Sequence, residues 1–244
     1  MKEVIKKYIR EILVGLRIGI TRNLQYDIQT RDCLKKILRP DSCCIDVGAH
    51  EGEILDLILK FAPQGKHFAF EPIPVLFKQL KEKYAEKVEV FPYALSAENG
   101  KATFQYVRNA PAYSGLKRRS YKVTPDIEEI PVDIKRLDDL IQADRKIDLI
   151  KIDVEGAEYG VLKGGEQLIK KHKPYIIFEF GLGASEHYNT TPDMIFDFMS
   201  ACGLSIYRLH DFLASKTSLS KTAFEEVYRK REDYYFVAGG LMAS

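Results

Sequence analysis

Cys43-Cys44-Ile45-Asp46-Val47-Gly48-Ala49-His50-Glu51-Gly52 is a short apolar run that ends on a carboxylate and then breaks at two glycines. Glu53 to Phe61 follows, with Ile54, Leu57, Ile58 and Phe61 at helical spacing. The stretch reads as a buried strand, a tight turn and a helix. Glycines at such a turn let the backbone approach a ligand closely, and the start of a helix offers N–H groups. Asp46, Gly48, Ala49, His50 and Gly52 are therefore candidate ligand-binding positions.

The rhythm continues downstream. His67 to Phe70 reads as a strand, Pro74 to Tyr84 as a helix carrying Leu76, Phe77 and Leu80, and Val88 to Phe91 as a third strand. Strands and helices alternating at this spacing predict right-handed crossovers and a parallel sheet. Residues 100–135 break the pattern. Ala102 to Val107 and Ile130 to Ile134 read as strands around a polar stretch, an inserted hairpin or flap. The pattern resumes with a short helix at Leu137 to Leu140, a strand at Ile147 to Ile152, and a helix from Ala157 to Lys170 despite Gly160, Gly164 and Gly165. Tyr175 to Phe178, Leu204 to Leu209 and Tyr234 to Ala238 read as strands and Met194 to Ala201 as a helix, giving about seven core strands.

The chain has 244 residues, 45% of them hydrophobic, enough for one α/β domain with extra structure at its ends. We divide it into an N-terminal helical segment, 1–40, and a Rossmann-like domain, 41–244. Within the first, residues 3–20 read as an amphipathic helix, either packed on the domain or lying with its basic residues on a membrane surface. Residues 30–38 read as a second helix stopped by Pro40. A net charge of +2 gives no argument for nucleic acid as a partner. Cys33, Cys43, Cys44 and Cys202 form no C-x-x-C pair, which suits reduced, buried thiols in a cytoplasmic protein and no zinc site. No apolar run is long enough to cross a bilayer, and Arg17 interrupts the N-terminal one with no cleavage site evident, so no signal peptide is expected.

The ligand class follows from spacing and charge. A pyrophosphate loop wants G-x-G-x-x-G, whereas Gly48 and Gly52 give G-x-x-x-G. Asp46 would oppose a phosphate and suits an ammonium. Glu71 ends the second strand, 25 positions after Asp46, where an acid accepts the hydroxyls of a ribose. A nucleoside lacking a pyrophosphate, with an ammonium group, describes S-adenosylmethionine. An NAD-dependent oxidoreductase is the alternative that the glycine spacing disfavours.

A second acidic segment is Lys151-Ile152-Asp153-Val154-Glu155-Gly156-Ala157-Glu158. Ligands of open α/β sheets sit beyond the carboxyl ends of the strands, so Asp153 and Glu155 should face the same crevice as Gly48. Acids there hold a cation, orient a hydroxyl or remove its proton; Glu158 is alternatively a helix N-terminal acid. Glu179 ends the next strand and completes the acidic set, with His187 and Tyr188 just beyond. Asp153, Glu179 and His187 are the candidate catalytic residues.

These segments together resemble the FkbM-type methyltransferases over residues 40–240. The resemblance rests on I-D-V-G-A-H-E-G at 45–52, F-A-F-E-P at 68–72, A-L-S-A-E-N-G at 94–100, R-L-D-D-L at 136–140, L-I-K-I-D-V-E-G-A-E at 149–158, V-L-K-G-G at 161–165 and P-Y-I-I-F-E at 174–179. It implies a class I methyltransferase fold, with seven strands and the last antiparallel. It also implies S-adenosylmethionine as donor and O-methylation of hydroxyls on sugars, glycans or natural products. By the same resemblance Asp46, Gly48 and Gly52 line the methionine and ribose side, Glu71 the ribose, Leu95 and Ser96 the adenine, and Asp153 the reacting end. Some such enzymes hold the acceptor with a divalent metal; here Mg2+ would fall to Asp153 and Glu179. A relative that binds the donor without turnover is the other reading. Two departures stand out. His50 occupies a position where relatives often carry Asn. Tyr113 to Arg119 matches no family pattern and is either a solvated flap or a lid whose Arg118 and Arg119 grip an anionic acceptor.

Overall fold

The computed structural model describes residues 13–14, 18–118 and 124–240. The amphipathic helix expected over 3–20, and the membrane contact tied to it, fall outside the described residues apart from Leu13, Val14 and 18–20. Arg119 falls outside them too. Among the described residues, no helix is long and apolar enough to cross a membrane.

The chain runs α1 (Arg22–Ile37), β1 (Cys44–Val47), α2 (Glu53–Phe61), β2 (His67–Phe70), α3 (Pro74–Tyr84), β3 (Val88–Phe91), β4 (Tyr93–Leu95), β5 (Gly100–Val107), β6 (Ile127–Lys135) and β7 (Leu149–Ile152). It continues through α4 (Glu158–Gly164), α5 (Glu166–His172), β8 (Tyr175–Glu179), α6 (Pro192–Ala201), β9 (Ser205–Arg208), α7 (Leu209–Leu213), α8 (Lys221–Lys230) and β10 (Tyr235–Gly239). Seven strands form one sheet in the order β3-β2-β1-β7-β8-β10-β9. Neighbours from β3 to β8 pair in parallel, and β10 pairs antiparallel with both β8 and β9. This is the Rossmann-like class I methyltransferase arrangement, with the last strand reversed.

β1, β2 and β7 are buried at all four positions because helices cover both faces of the sheet. Side-chain alternation sorts the strands into two cores. Ile45, Val47, Phe68, Phe70, Ile150, Ile152, Ile176, Phe178 and Phe236 face α4, α5, α6 and α8. Cys44, Ala69, Leu149, Ile177 and Val237 face α1, α2, α3 and α7. Asp46, Lys151 and Glu179 each lie two residues past a member of this second set, and Tyr235 lies two before Val237 on the reversed strand. All four therefore emerge on the α1–α2 face at one edge of the sheet.

Several elements differ from the sequence reading. α1 starts at Arg22, eight residues before the expected helix, because Thr21 caps it by accepting the N–H of Leu24. Its Tyr26, Cys33 and Leu34 belong to the second core. The insertion is a three-stranded sheet: β5 and β6 pair antiparallel as expected, and β4 adds in parallel to β6. The helix expected over 157–170 is two helices meeting at Gly165, where a Cβ would come within 2.9 Å of the Leu137 side chain. The expected short helix at 137–140 is a single 3-10 turn.

Phe178 is fully buried, its ring tilted against Phe236 at 5.7 Å. Phe178→Ala is expected to lower the free energy of unfolding by about 3–5 kcal/mol, measured by urea denaturation.

Candidate functional site

The carboxyl ends of β1, β7 and β8 and the start of β10 bring one cation among several carboxylates. Lys151 is paired in register with Asp46 on β1, and Tyr235 with Glu179 on β8. The Lys151 ammonium lies 3.2 Å from Asp153 Oδ2 and 3.9 Å from Asp46 Oδ1. The Tyr235 hydroxyl donates to the same Asp153 Oδ2, and a Glu179 carboxylate oxygen lies within 4.8 Å of Asp153.

Burial opposes every charge in this group. For Lys151 the neighbouring Asp153, Asp46 and Glu179 outweigh it, and the ammonium is held above its usual value. For Asp153, burial is outweighed by Lys151 and by the hydrogen bond from Tyr235, so it stays charged below the ordinary carboxylate range. Asp46 is fully buried, and burial, only partly offset by Lys151, raises it to about 6. Neither Asp46 oxygen receives a hydrogen bond from the described protein. A buried carboxylate in that position fits a ligand that brings its own cationic donor. Burial and the adjacent carboxylates keep the Tyr235 phenol far above its usual value, hence always a donor.

The turn after β1 uses most of its own amides, whereas the first turn of α2 receives no side-chain cap. Gly48 and Ala49 donate to Phe70 O at 3.0 and 3.2 Å, His50 to Glu71 Oε2 at 2.9 Å, and Gly52 to Ala49 O at 2.7 Å. Those four N–H groups are thus spent inside the protein, which suits a ligand other than a phosphate. The glycines are fixed by the protein itself. At Gly48, with φ +77°, a Cβ would lie 2.0 Å from Asp153 O; at Gly52, with φ +82°, 2.2 Å from the Tyr84 hydroxyl. Gly48 thereby lets the turns after β1 and β7 touch. Glu71 is buried and raised to about 7 by burial, and its carboxylate accepts the N–H groups of His50 and Ile73, each at 2.9 Å. His50 sits at φ +49°, with its Nε2 buried and given no hydrogen bond by the described protein, and burial holds the imidazole below its usual value.

The turn after β7 carries Glu155 at φ +57°, a left-handed conformation unusual for a non-glycine residue. Glu158 shapes this turn, accepting the N–H groups of Val154 and Gly156 at 3.3 and 3.0 Å, and burial raises it to about 7. Carboxylate oxygens of Asp153, Glu155 and Glu179 lie within 4.8 Å of one another. Hard oxygen donors at that spacing fit a divalent cation, although Lys151 and Tyr235 already contact one of the Asp153 oxygens.

The insertion reaches over this edge. Gly115 sits against Glu155 and Tyr188: a Cβ there would be 3.6 Å from each. The Lys117 ammonium donates to His187 O at 2.8 Å and lies 5.0 Å above the Tyr188 ring. His187 thus meets the flap through its backbone. Arg118, read as a grip for an anionic acceptor, is already tied to Gln105 and Glu129 at 3.0 Å each. Leu95 is buried in the first core, and Ser96 packs against Gly160 and Gly164 of α4. The two pack with α4, whereas Asp46, Asp153 and Glu179 gather around Lys151. Sequence reasoning missed Lys151 and Tyr235. The signal for Lys151 was a cation in the middle of an apolar strand; Tyr235 gave none.

Residues 46–206 match the model of the methyltransferase FkbM domain. The chain is 26% identical over 187 residues to the 2-O-methyltransferase NoeI of Sinorhizobium fredii (strain NBRC 101917 / NGR234), covering 68% of this chain and 73% of that one. It is 32% identical over 155 residues to methyltransferase sdnD of Sordaria araneosa, covering 50% and 60%. Among solved structures it is similar to the methyltransferase FkbM of Methylobacillus flagellatus KT, with a TM-score of 0.49, 13% identity, and 98% and 60% of the two chains covered. The chain therefore spans less than two thirds of the length of the last two.

Gly48→Ala is expected to destabilise the protein by about 2 kcal/mol or more, since strained backbone and a clash coincide. Gly100→Ala, where a Cβ would meet nothing within 4 Å, should stay within about 0.5 kcal/mol of the parent protein. Thermal or urea unfolding of the two variants checks the contrast.

Proposed function

Because the chain belongs to the methyltransferase FkbM family, we propose that it transfers a methyl group from S-adenosylmethionine to a hydroxyl of a sugar, glycan or other small natural product. The observation that carries the donor is Asp46, a buried carboxylate with no hydrogen-bond donor among the described residues, beside Glu71 at the end of the next strand. Asp46 receives the donor's ammonium and Glu71 its ribose hydroxyls. Oxygen as the acceptor atom is supported by the relative NoeI, a 2-O-methyltransferase.

S-adenosylmethionine supplies an electrophilic methyl carbon on a sulfonium. The protein's task is to align an oxygen behind that carbon and to take its proton. Asp153, held charged by Lys151, accepts the hydrogen bond of the acceptor hydroxyl and orients it. The proton passes to the Asp153–Glu179 pair as the O–C bond forms and the C–S bond breaks. Gly115, Lys117 and Tyr188 cover the site, and His187 anchors this cover through its carbonyl. A second reading places Mg2+ among Asp153, Glu155 and Glu179, favoured by their mutual spacing; such an ion would acidify the hydroxyl.

Asp153→Asn is expected to lower kcat by about 10²- to 10⁴-fold while the fold persists, read by methyl transfer to a panel of glycosides and by circular dichroism. A fully active variant sinks the role of Asp153. Dialysis against EDTA is expected to leave activity within about twofold, because Lys151 already supplies the cation; a loss restored by Mg2+ would favour the second reading. Asp46 and Glu71 bind the donor only when charged, and burial raises them to about 6 and about 7. Calorimetric Kd for S-adenosylmethionine should therefore fall tenfold or more between about pH 5 and about pH 8, since a charged hydrogen bond contributes about 1.5–3 kcal/mol. A flat profile would contradict this assignment.

A further inference from the structure

Residues outside the 46–206 family segment reach into the acidic cluster. The Tyr235 hydroxyl and the Lys151 ammonium converge on one oxygen, Asp153 Oδ2. A carboxylate held by one partner can still swing about its Cβ bond; two donors on one oxygen fix its rotamer. Tyr235 is itself held. Its ring lies 5.3 Å from that of Tyr26 on α1, and Tyr26 packs edge-on against Tyr234 at 4.6 Å. Tyr26 is buried and anchored at its far end, donating to Asp233 Oδ1 at 2.7 Å and accepting the N–H of Tyr234 at 3.3 Å. Tyr234 in turn donates to Asn23, one turn earlier on α1. A continuous path of contacts thus runs from Asn23 in the first turn of α1, through Tyr234, Tyr26 and Tyr235, to Asp153.

We propose that Tyr235, braced by Tyr26 of α1, is a positioning residue that holds Asp153 in the orientation needed for methyl transfer, so that α1 completes the site from outside the family segment. The phenol takes no proton and touches no reacting atom. Its hydroxyl fixes the carboxylate, and its ring is kept in place by α1. This rests on the methyl-transfer reading and on Asp153 as the group that orients the acceptor.

Tyr235→Phe removes one oxygen and keeps the ring in its packing. The expected result is a kcat reduced about tenfold or more, with KM for both substrates within about twofold and the melting temperature nearly unchanged. Tyr26→Leu should reduce kcat in the same direction. Combined with Tyr235→Phe it should add little, because both act through one carboxylate. A Tyr235→Phe enzyme with parental kcat overturns the inference, as does a loss confined to KM or losses that multiply in the double variant. A crystal structure of Tyr235→Phe separates this failure from failure of the functional reading. Asp153 displaced from its position supports the brace, and Asp153 unmoved overturns it, whatever the activity. An unaltered protein that methylates no hydroxyl acceptor would instead overturn the functional reading.

Discussion

The arrangement depends on one buried ammonium. Lys151 stands in the middle of an otherwise apolar strand, where an uncompensated charge would be very costly. Asp46 and Asp153, on adjacent elements of the same sheet face, offset that cost, and Glu179 adds to the field. Breaking such a group by removing one partner typically costs about 3–5 kcal/mol, so the charges hold one another in place. The balance is uneven: Asp153 is kept ionised while Asp46 is raised to about 6. One sheet edge thereby presents two carboxylates of different character, one suited to a ligand cation and one to an acceptor hydroxyl.

Backbone packing delivers these groups to one place. β1 and β7 are neighbours in parallel register, and the turns that leave them meet where Gly48 lies against the Asp153 carbonyl. The turn after β1 is tied to β2 through Phe70 and Glu71, and the turn after β7 is held from below by Glu158. The amides of Gly48, Ala49, His50 and Gly52 are therefore occupied, and the side chains gathered at this edge are acidic. The insertion supplies the cover from the other side, latched through Lys117 to the loop that holds His187 and Tyr188.

Much of this was legible in the chain. Short apolar strands bounded by glycine and acid turns carry their own signal, so the seven core strands, the reversed last strand and the positions of Asp46, Asp153 and Glu179 emerged from pattern and resemblance. Other features depend on tertiary contacts that no local pattern encodes. The first half of α1 is rich in polar residues, Asn23, Gln25, Asp27 and Gln29 among them, so its helix is hidden until Tyr26 is seen packed under β10. β4 follows β3 after a single proline and reads as part of a loop. Gly48 and Gly52 were read as making room for a ligand, whereas the atoms they make room for belong to Asp153 and Tyr84. Arg118 looked available because its partner Glu129 is eleven residues away across a hairpin.

The proposed function depends most on Asp46 and Glu71 holding the methyl donor. Equilibrium dialysis of the purified protein with labelled S-adenosylmethionine, in the presence and absence of excess NAD, addresses it directly. The expected result is saturable binding of one equivalent, displaced by S-adenosylhomocysteine and untouched by NAD. Displacement by NAD, or no binding at any pH above about 7, where both carboxylates are charged, would contradict it.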